Sequence, residues 1–312
     1  MYSMQSDFEI VILIQSALHC GMCVILKYTF VIGTIMSRLL VCCPSDLPSK
    51  NMRDALLNRC DWEDLGSDGR NSFERCGDNI IMTISDKHLE HDYPERDAEA
   101  FGIHVDDVVF MSRHSAKSGT PALTVHPIGN YHENLYGGDA EHLVKASPSL
   151  MSDALRNIMR FNDTEGTQTC FEVTHHGPLS DKPTFFIEIG SDESHWGNTH
   201  AAEIQADVIM SMQPAEDHLI AIGVGGGHYA PRFTEACCSY KVDFGHLIPN
   251  YQLEGRDDED IVRMMTQASD ASGTKLVYLH RKSMKKPEER RISSLIASSG
   301  LEQVSSKDFE QL

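Results

Sequence analysis

From residue 36 onward the chain alternates short apolar runs with longer stretches whose apolar residues recur at helical spacing. The short runs fall at 38–43 (RLLVCC), 79–85 (NIIMTIS), 107–113 (DVVFMSR), 122–126 (ALTVH), 170–176 (CFEVTHH), 184–190 (TFFIEIG), 219–224 (LIAIGV) and 275–280 (KLVYLH). Helical spacing occupies 49–60, 150–161, 199–212, 231–240, 257–272 and 287–299. Strands alternating with helices predict an α/β fold with a mixed, largely parallel sheet flanked by helices. The stretches 130–148 and 161–168 read as loops, and the first marks a soft boundary near 148 between two sub-lobes of one 36–312 domain. No internal repeat and no long low-complexity tract interrupts the pattern.

Residues 8–35 break the rhythm, being strongly apolar and charged only at Glu9 and Lys27. Their length permits a membrane span. Yet Glu9, Gln15, His19 and Lys27 interrupt them, and no basic flank precedes them. A translated upstream region or an organelle-targeting leader is the expectation, with a signal anchor as the third reading. Residues 36–312 are expected to carry the function, without stable membrane association.

The remaining composition narrows the class. A hydrophobic content of 41% and a charged content of 23% suit a globular enzyme. A formal charge of −19 excludes a general nucleic-acid coat protein, whose surface would be basic. It leaves room for a nucleic acid met by one local patch, and 281–291 (RKSMKKPEERR) offers Arg281, Lys282, Lys285 and Lys286. The plainer reading of that patch is a solvated loop and helix start. Nine cysteines, two pairs of them adjacent (Cys42-Cys43 and Cys237-Cys238), predict a reduced, cytoplasmic protein. The CxxC at Cys20–Cys23 has no second pair nearby and carries little.

Chemistry gathers where apolar runs end. His126 precedes Pro127, His175-His176 precede Gly177-Pro178, Glu188 stands two residues before Gly190, and His228 follows three glycines. In α/β sheets ligands collect at the carboxyl ends of strands. Neighbouring strand residues face opposite sides, so His175 and His176 share a pocket only if the chain turns beside them. Glu188 shares a face with Phe186, and a carboxylate there needs a partner. Histidines such as His88, His142 and His218 read as ordinary surface or core residues.

The stretch GVGGGHYAPRFTE (223–235) is neither the dinucleotide GxGxxG, whose third glycine would fall on His228, nor a Walker loop. Three residues without Cβ predict close approach of a substrate to main-chain N–H groups at Gly225, Gly226 and Gly227. Pro231 suits the first position of a helix whose N-terminus would lie near His228 and Tyr229. No GxSxG is present, so activated water is the default nucleophile.

At EVTHHGP, FFIEIGS, GGGHYAPRFTE, FGHLIPNY and SRHSAKSGTPALTVHPIGN the sequence resembles the archaeal and plant D-aminoacyl-tRNA deacylases. The resemblance runs from about Met36 to beyond Tyr251. It implies hydrolysis of the ester between a D-amino acid and the terminal ribose of tRNA, a chiral proofreading step in translation. It also implies zinc, and a fold related to phosphorylases and peptidyl-tRNA hydrolases. At the matching positions His126, His175 and Glu188 are assigned to metal, with His228 as an alternative ligand. His176 is assigned to general-base work, His228 and Tyr229 to catalysis, Gly225–Gly227 to the oxyanion, and Arg281, Lys282, Lys285 and Lys286 to tRNA. A strongly acidic surface departs from what tRNA docking would suggest. A phosphorylase-like enzyme holding phosphate in the glycine loop, and a tRNA-binding protein without catalysis, are the competing readings.

Overall fold

Helix starts are written locally. Pro48, Pro94, Pro148, Pro231 and Pro287 each occupy a first turn, where no backbone N–H is required. The side chains of Asp46, Asn198 and Asp257 accept from backbone N–H groups of the turns they precede. The computed structural model describes residues 36–312; the apolar 8–35 segment and Cys20–Cys23 lie outside the described residues.

In chain order the elements are β1 (Arg38–Cys42), α1 (Leu47–Leu57), β2 (Glu63–Ser67), β3 (Ser72–Cys76), β4 (Asn79–Thr83), α2 (Pro94–Ala100), β5 (Asp107–Arg113), β6 (Ala122–Pro127), β7 (Gly129–Asn130), β8 (His142–Leu143), α3 (Pro148–Phe161), β9 (Gln168–Phe171), β10 (Thr184–Gly190), α4 (Glu193–Trp196), α5 (Thr199–Ser211), β11 (Leu219–Val224), α6 (Pro231–Ser239), β12 (Val242–Ile248), α7 (Asn250–Leu253), α8 (Asp258–Ser272), β13 (Leu276–Leu279), α9 (Lys286–Ser298) and β14 (Glu302–Val304). Eight strands form a mixed sheet in the order β2-β3-β4-β1-β5-β10-β6-β9, and β12-β11-β13-β14 form a second sheet that is parallel throughout. The predicted α/β class with a mixed, largely parallel sheet is what the chain adopts.

Three expectations change. The boundary near 148 does not divide the chain, because β9 and β10 lie beyond it and complete the sheet begun by β1, β4, β5 and β6. One core also continues from Leu40, Val109 and Ile187 of the large sheet, through Leu155 of α3, to Phe233 of α6 and Phe244 of β12. Secondly, Cys60 and Cys76 form a disulfide, so the cysteines are not all reduced. The β2–β3 hairpin folds back on the end of α1 and brings together two residues 16 apart, a pairing that only the fold reveals. Cys42, Cys43, Cys237 and Cys238 are free, as their adjacency predicts. Thirdly, β6 runs antiparallel to β10, so their carboxyl ends lie at opposite edges. Among the described residues no helix is long and apolar enough to cross a membrane.

Candidate active site

The site is assembled by register rather than by a shared strand end. Phe186 pairs with His126 and Glu188 with Thr124 across the β10–β6 ladder, so period 2 places His126, Phe186 and Glu188 on one face. The Phe186 ring lies parallel to His126 with centroids 5.0 Å apart. Two residues beyond Ser112, which pairs with Glu188, the chain delivers His114 to the same place.

Past Phe171 the chain leaves the β6 ladder and runs between the two sheets. The N–H of Glu172 donates to Val125 O, that of Val173 to His228 O, and that of Thr174 to Leu247 O. This crossing brings Glu172, His175 and His176 against His228 and Tyr229 from the other sheet's loop. The expected turn at 175–178 is present, and it begins at His176 itself, with φ of 26° followed by 112° at Gly177. A non-glycine residue in that region costs about 1–3 kcal/mol, which the surrounding packing has to offset. Gly177 has no substitute there, since a Cβ would lie 2.3 Å from Ile128 Cγ2.

Six predicted residues therefore meet: His126, His175, His176, Glu188, His228 and Tyr229. His175 is the hub, with ring centroids 4.1 Å from His126, 4.2 Å from His176 and 4.8 Å from His228. Two further members, His114 and Glu172, escaped sequence reasoning. His114 Nδ1 lies 3.0 Å from Glu172 Oε1 and 3.6 Å from Glu188 Oε2, while its Nε2 is 2.8 Å from Tyr229 Oη. Glu172 Oε2 lies 2.9 Å from His228 Nε2 and 3.6 Å from His175 Nε2. A signal for Glu172 was available, as a carboxylate three residues before His175 in an otherwise apolar run.

Burial sets the charge states. Glu172 is fully buried, which opposes ionisation, but His114 and His228 outweigh that and hold its carboxyl well below the usual range. Glu188 is also lowered, with burial overcome by His114 and His126. Burial likewise works against charge on His114, yet hydrogen bonds to Glu172 and Glu188 push it up to about 11. His176 is pushed down to about 4 by burial and then by His126, and His175 falls well below its ordinary value for the same reasons.

Several buried atoms are poorly served. His175 Nδ1 donates to Val173 O (2.7 Å), which leaves Nε2 unprotonated and aimed at Glu172. His126 Nδ1 meets Pro127 O (3.2 Å), while its Nε2 lies 3.6 Å from Glu188 Oε2 without a hydrogen bond. Both Glu172 oxygens and His176 Nδ1 are buried without a hydrogen bond of good geometry. Lone pairs facing carboxylates in a dry site require a cation between them, whether a proton or a metal ion. One nitrogen from each of His126, His175 and His176 fits within a sphere of mutual separation 4.8 Å, as does a set from His114, Glu172 and His228. Imidazole and carboxylate donors of this kind suit zinc. Glu188, expected among the ligands, lies outside both sets, with Oε2 3.6 Å from His126 Nε2 and from His114 Nδ1. A third cluster, His132, Glu141 and Asp260, already has Arg263 against both carboxylates.

Two of the three glycines play a different part from the one expected, while Gly227 remains open to it. Gly225 N–H donates to Ile248 O (2.7 Å) and Gly226 N–H to Ser283 Oγ (2.9 Å), so neither is left for an oxyanion or a phosphate. Their φ values of 108° and 92° are what demand glycine. The loop shapes a sharp exit from β11 that presents His228. The basic residues Arg281 and Lys282 form a turn over this loop, and Lys285 and Lys286 open α9. Arg281 and Lys286 both pair with Glu289.

Comparison with known proteins gives a consistent picture. The D-aminoacyl-tRNA deacylase family profile matches residues 101–304. A D-aminoacyl-tRNA deacylase of Pyrococcus horikoshii is 35% identical over 82% of this chain and 95% of its own length. One from Methanosarcina mazei is 34% identical over 84% and 90%. One from Methanococcoides burtonii is 34% identical over 88% of this chain, which spans only 58% of that relative. A crystal structure of a conserved protein of unknown function superposes with a TM-score of 0.77 and 30% identity, covering 89% of this chain and 99% of that one.

Proposed function

The chain belongs to the D-aminoacyl-tRNA deacylase family, a family of hydrolases, and from that membership and the geometry above we propose that it cleaves the ester joining a D-amino acid to the terminal ribose of tRNA. The observation that carries the reading is the convergence of five histidines, two buried carboxylates and a tyrosine between the two sheets. Among the described residues no serine or cysteine is one of these converging groups, so water attacks the ester carbonyl.

His126, His175 and His176 would hold a zinc ion, with the Glu188 carboxylate 3.6 Å from His126 Nε2. When bound, zinc supplies a polarised water of lowered pKa at neutral pH. The other groups divide the remaining work. General-base action falls to His228 rather than to His176, whose basicity burial has largely removed. A proton held on His228 Nε2, 2.9 Å from the Glu172 carboxylate, would leave Nδ1 as the acceptor of a proton from water. His114, charged between Glu172 and Glu188, donates Nε2–H to Tyr229 Oη. With its oxygen so engaged, Tyr229 directs its own O–H outward, toward the charge that develops on the carbonyl oxygen. That role replaces the one expected of Gly225 and Gly226. Side-chain handedness would be selected sterically.

The test is hydrolysis of D- and L-aminoacyl-tRNA by the full chain before and after dialysis against a chelator, with zinc add-back. Preferential hydrolysis of the D-ester, lost on chelation and restored by zinc, is expected. Equal turnover of both esters would overturn the chiral reading, and full activity after verified metal removal would overturn the zinc assignment.

A further inference from the structure

A cavity of about 670 Å³ lies beside the histidine cluster rather than over it. Its size falls within the roughly 300–1,000 Å³ typical of small-molecule sites. Pro231 and Arg232 line it from α6, Tyr278 to Lys282 from β13 and the turn after it, and Gln303, Val304, Ser305, Ser306 and Asp308 from β14 and the chain beyond. The cavity adjoins the reactive cluster through two features. Arg232 follows Tyr229 by three residues at the start of α6, and the His280 imidazole packs on Gly226, where a Cβ would come within 3.3 Å of Nδ1.

Its charge runs against that of the molecule. Arg232, Arg281 and Lys282 line it against Glu235 and Asp308, in a chain of net charge −19. Arg232 is held at 2.8 Å from Glu235, and its guanidinium carbon lies 5.5 Å from the centre of the Tyr278 ring, so it is presented as a fixed, flat cation. Arg281, which also pairs with Glu289, and Lys282 are exposed on the turn after β13. A flat guanidinium and an imidazole beside exposed cations suit a base and its phosphates, because stacking surfaces and point charges recognise different parts of one nucleotide.

We propose that this hollow receives the 3′-terminal nucleotides of the RNA substrate, with phosphates on Arg281 and Lys282 and a base against Arg232 and His280. This rests on the deacylase reading and deepens it, since it gives an acidic protein one place to grip RNA. A strand end seated there lies beside the glycine loop that carries His228.

The experiment compares Arg281→Ala, Lys282→Ala and the double variant with the parent. Substrates are D-alanyl- and D-tyrosyl-tRNA and the matching 3′-(D-aminoacyl)adenosines, which carry the ester without the upstream phosphates. On tRNA each variant should raise KM about tenfold, as expected for loss of a charge-assisted contact. The slope of log KM against log salt should fall by roughly 0.7 per cation removed. On the adenosine esters the ratio of variant to parent should stay near one. Equal losses on tRNA and adenosine ester, or no change in KM and salt slope, would overturn the subsite. A parent that cleaves neither substrate would instead overturn the deacylase reading beneath it. Arg232→Lys, which keeps charge but loses the planar face, should weaken both substrates. An unaffected Arg232→Lys would remove the base from that side chain.

Discussion

At the scale of residues the site is a set of mutual constraints. Glu172 touches or approaches His114, His175 and His228, so its charge fixes three imidazoles at once. Glu172→Gln should lower kcat/KM by at least ~100-fold, through loss of the orienting charge. Steady-state deacylation with zinc content measured in parallel checks this, and near-parental turnover would remove Glu172 from the site. Tyr229→Phe keeps the ring and deletes the O–H, so kcat should fall about 100-fold with KM little changed. A KM effect alone would make Tyr229 a binding residue. His126, His175, His176, Glu188, His228 and Tyr229 were legible because imidazoles at the ends of apolar runs stand out. His114 was not, because a single polar residue beside a run looks the same whether it faces solvent or a neighbour, whereas Glu172 lay inside a run and its signal went unread.

At the scale of elements, register decides which side chains meet. The β10–β6 ladder puts His126 and Glu188 on one face, and the opposite face, with Phe185, Ile187 and Ile189, is buried in the main core. Gly190 ends β10 where His114 needs space, and a Cβ there would come within 2.7 Å of His114 Cδ2. Gly190→Ala should therefore displace the imidazole and abolish most activity, at a stability cost of about 1–3 kcal/mol. Thermal unfolding and turnover measured together check it. Parental activity with an unchanged Tm would mean that His114 moves freely. Six helices and seven strands follow their predicted spans closely, and the 170–176 run continues as a strand only to Phe171. The β2–β3 hairpin, β12 and β14 were missed. GSDGRNS and VDFGHLI interrupt their apolar positions with glycine or charge, and only a neighbouring strand makes them extended.

At the scale of the whole molecule, buried neutral histidines outside the site set an acid limit. His246 donates Nε2–H to Val144 O (2.8 Å) and receives Thr174 Oγ–H at Nδ1 (3.0 Å), and burial pushes it down to about 4. His88, packed on Phe110, is pushed down to about 4 by burial as well. The unfolded chain protonates these rings near 6.5 and the folded one near 4, so the unfolded state binds more protons between those values. Stability is complete above about 6.5 and declines as pH falls toward 4, by on the order of 3 kcal/mol per residue. Denaturant melts from pH 7.5 to 4.5 should show this slope. His246→Gln should be less stable at pH 7.5 and lose less on acidification; an unchanged slope would exonerate His246.

The order of short apolar runs and helical stretches was enough to determine an α/β class, because periods of 2 and 3.6 are local properties of a chain that has to bury one face. It also determined which imidazoles were worth watching. Tertiary structure alone decided that β6 runs antiparallel to β10, that 172–176 crosses between two sheets, that Cys60 meets Cys76, and that the N–H groups of Gly225 and Gly226 are spent on Ile248 and Ser283. Each of these joins residues distant in sequence, where the partner, not the residue, carries the information.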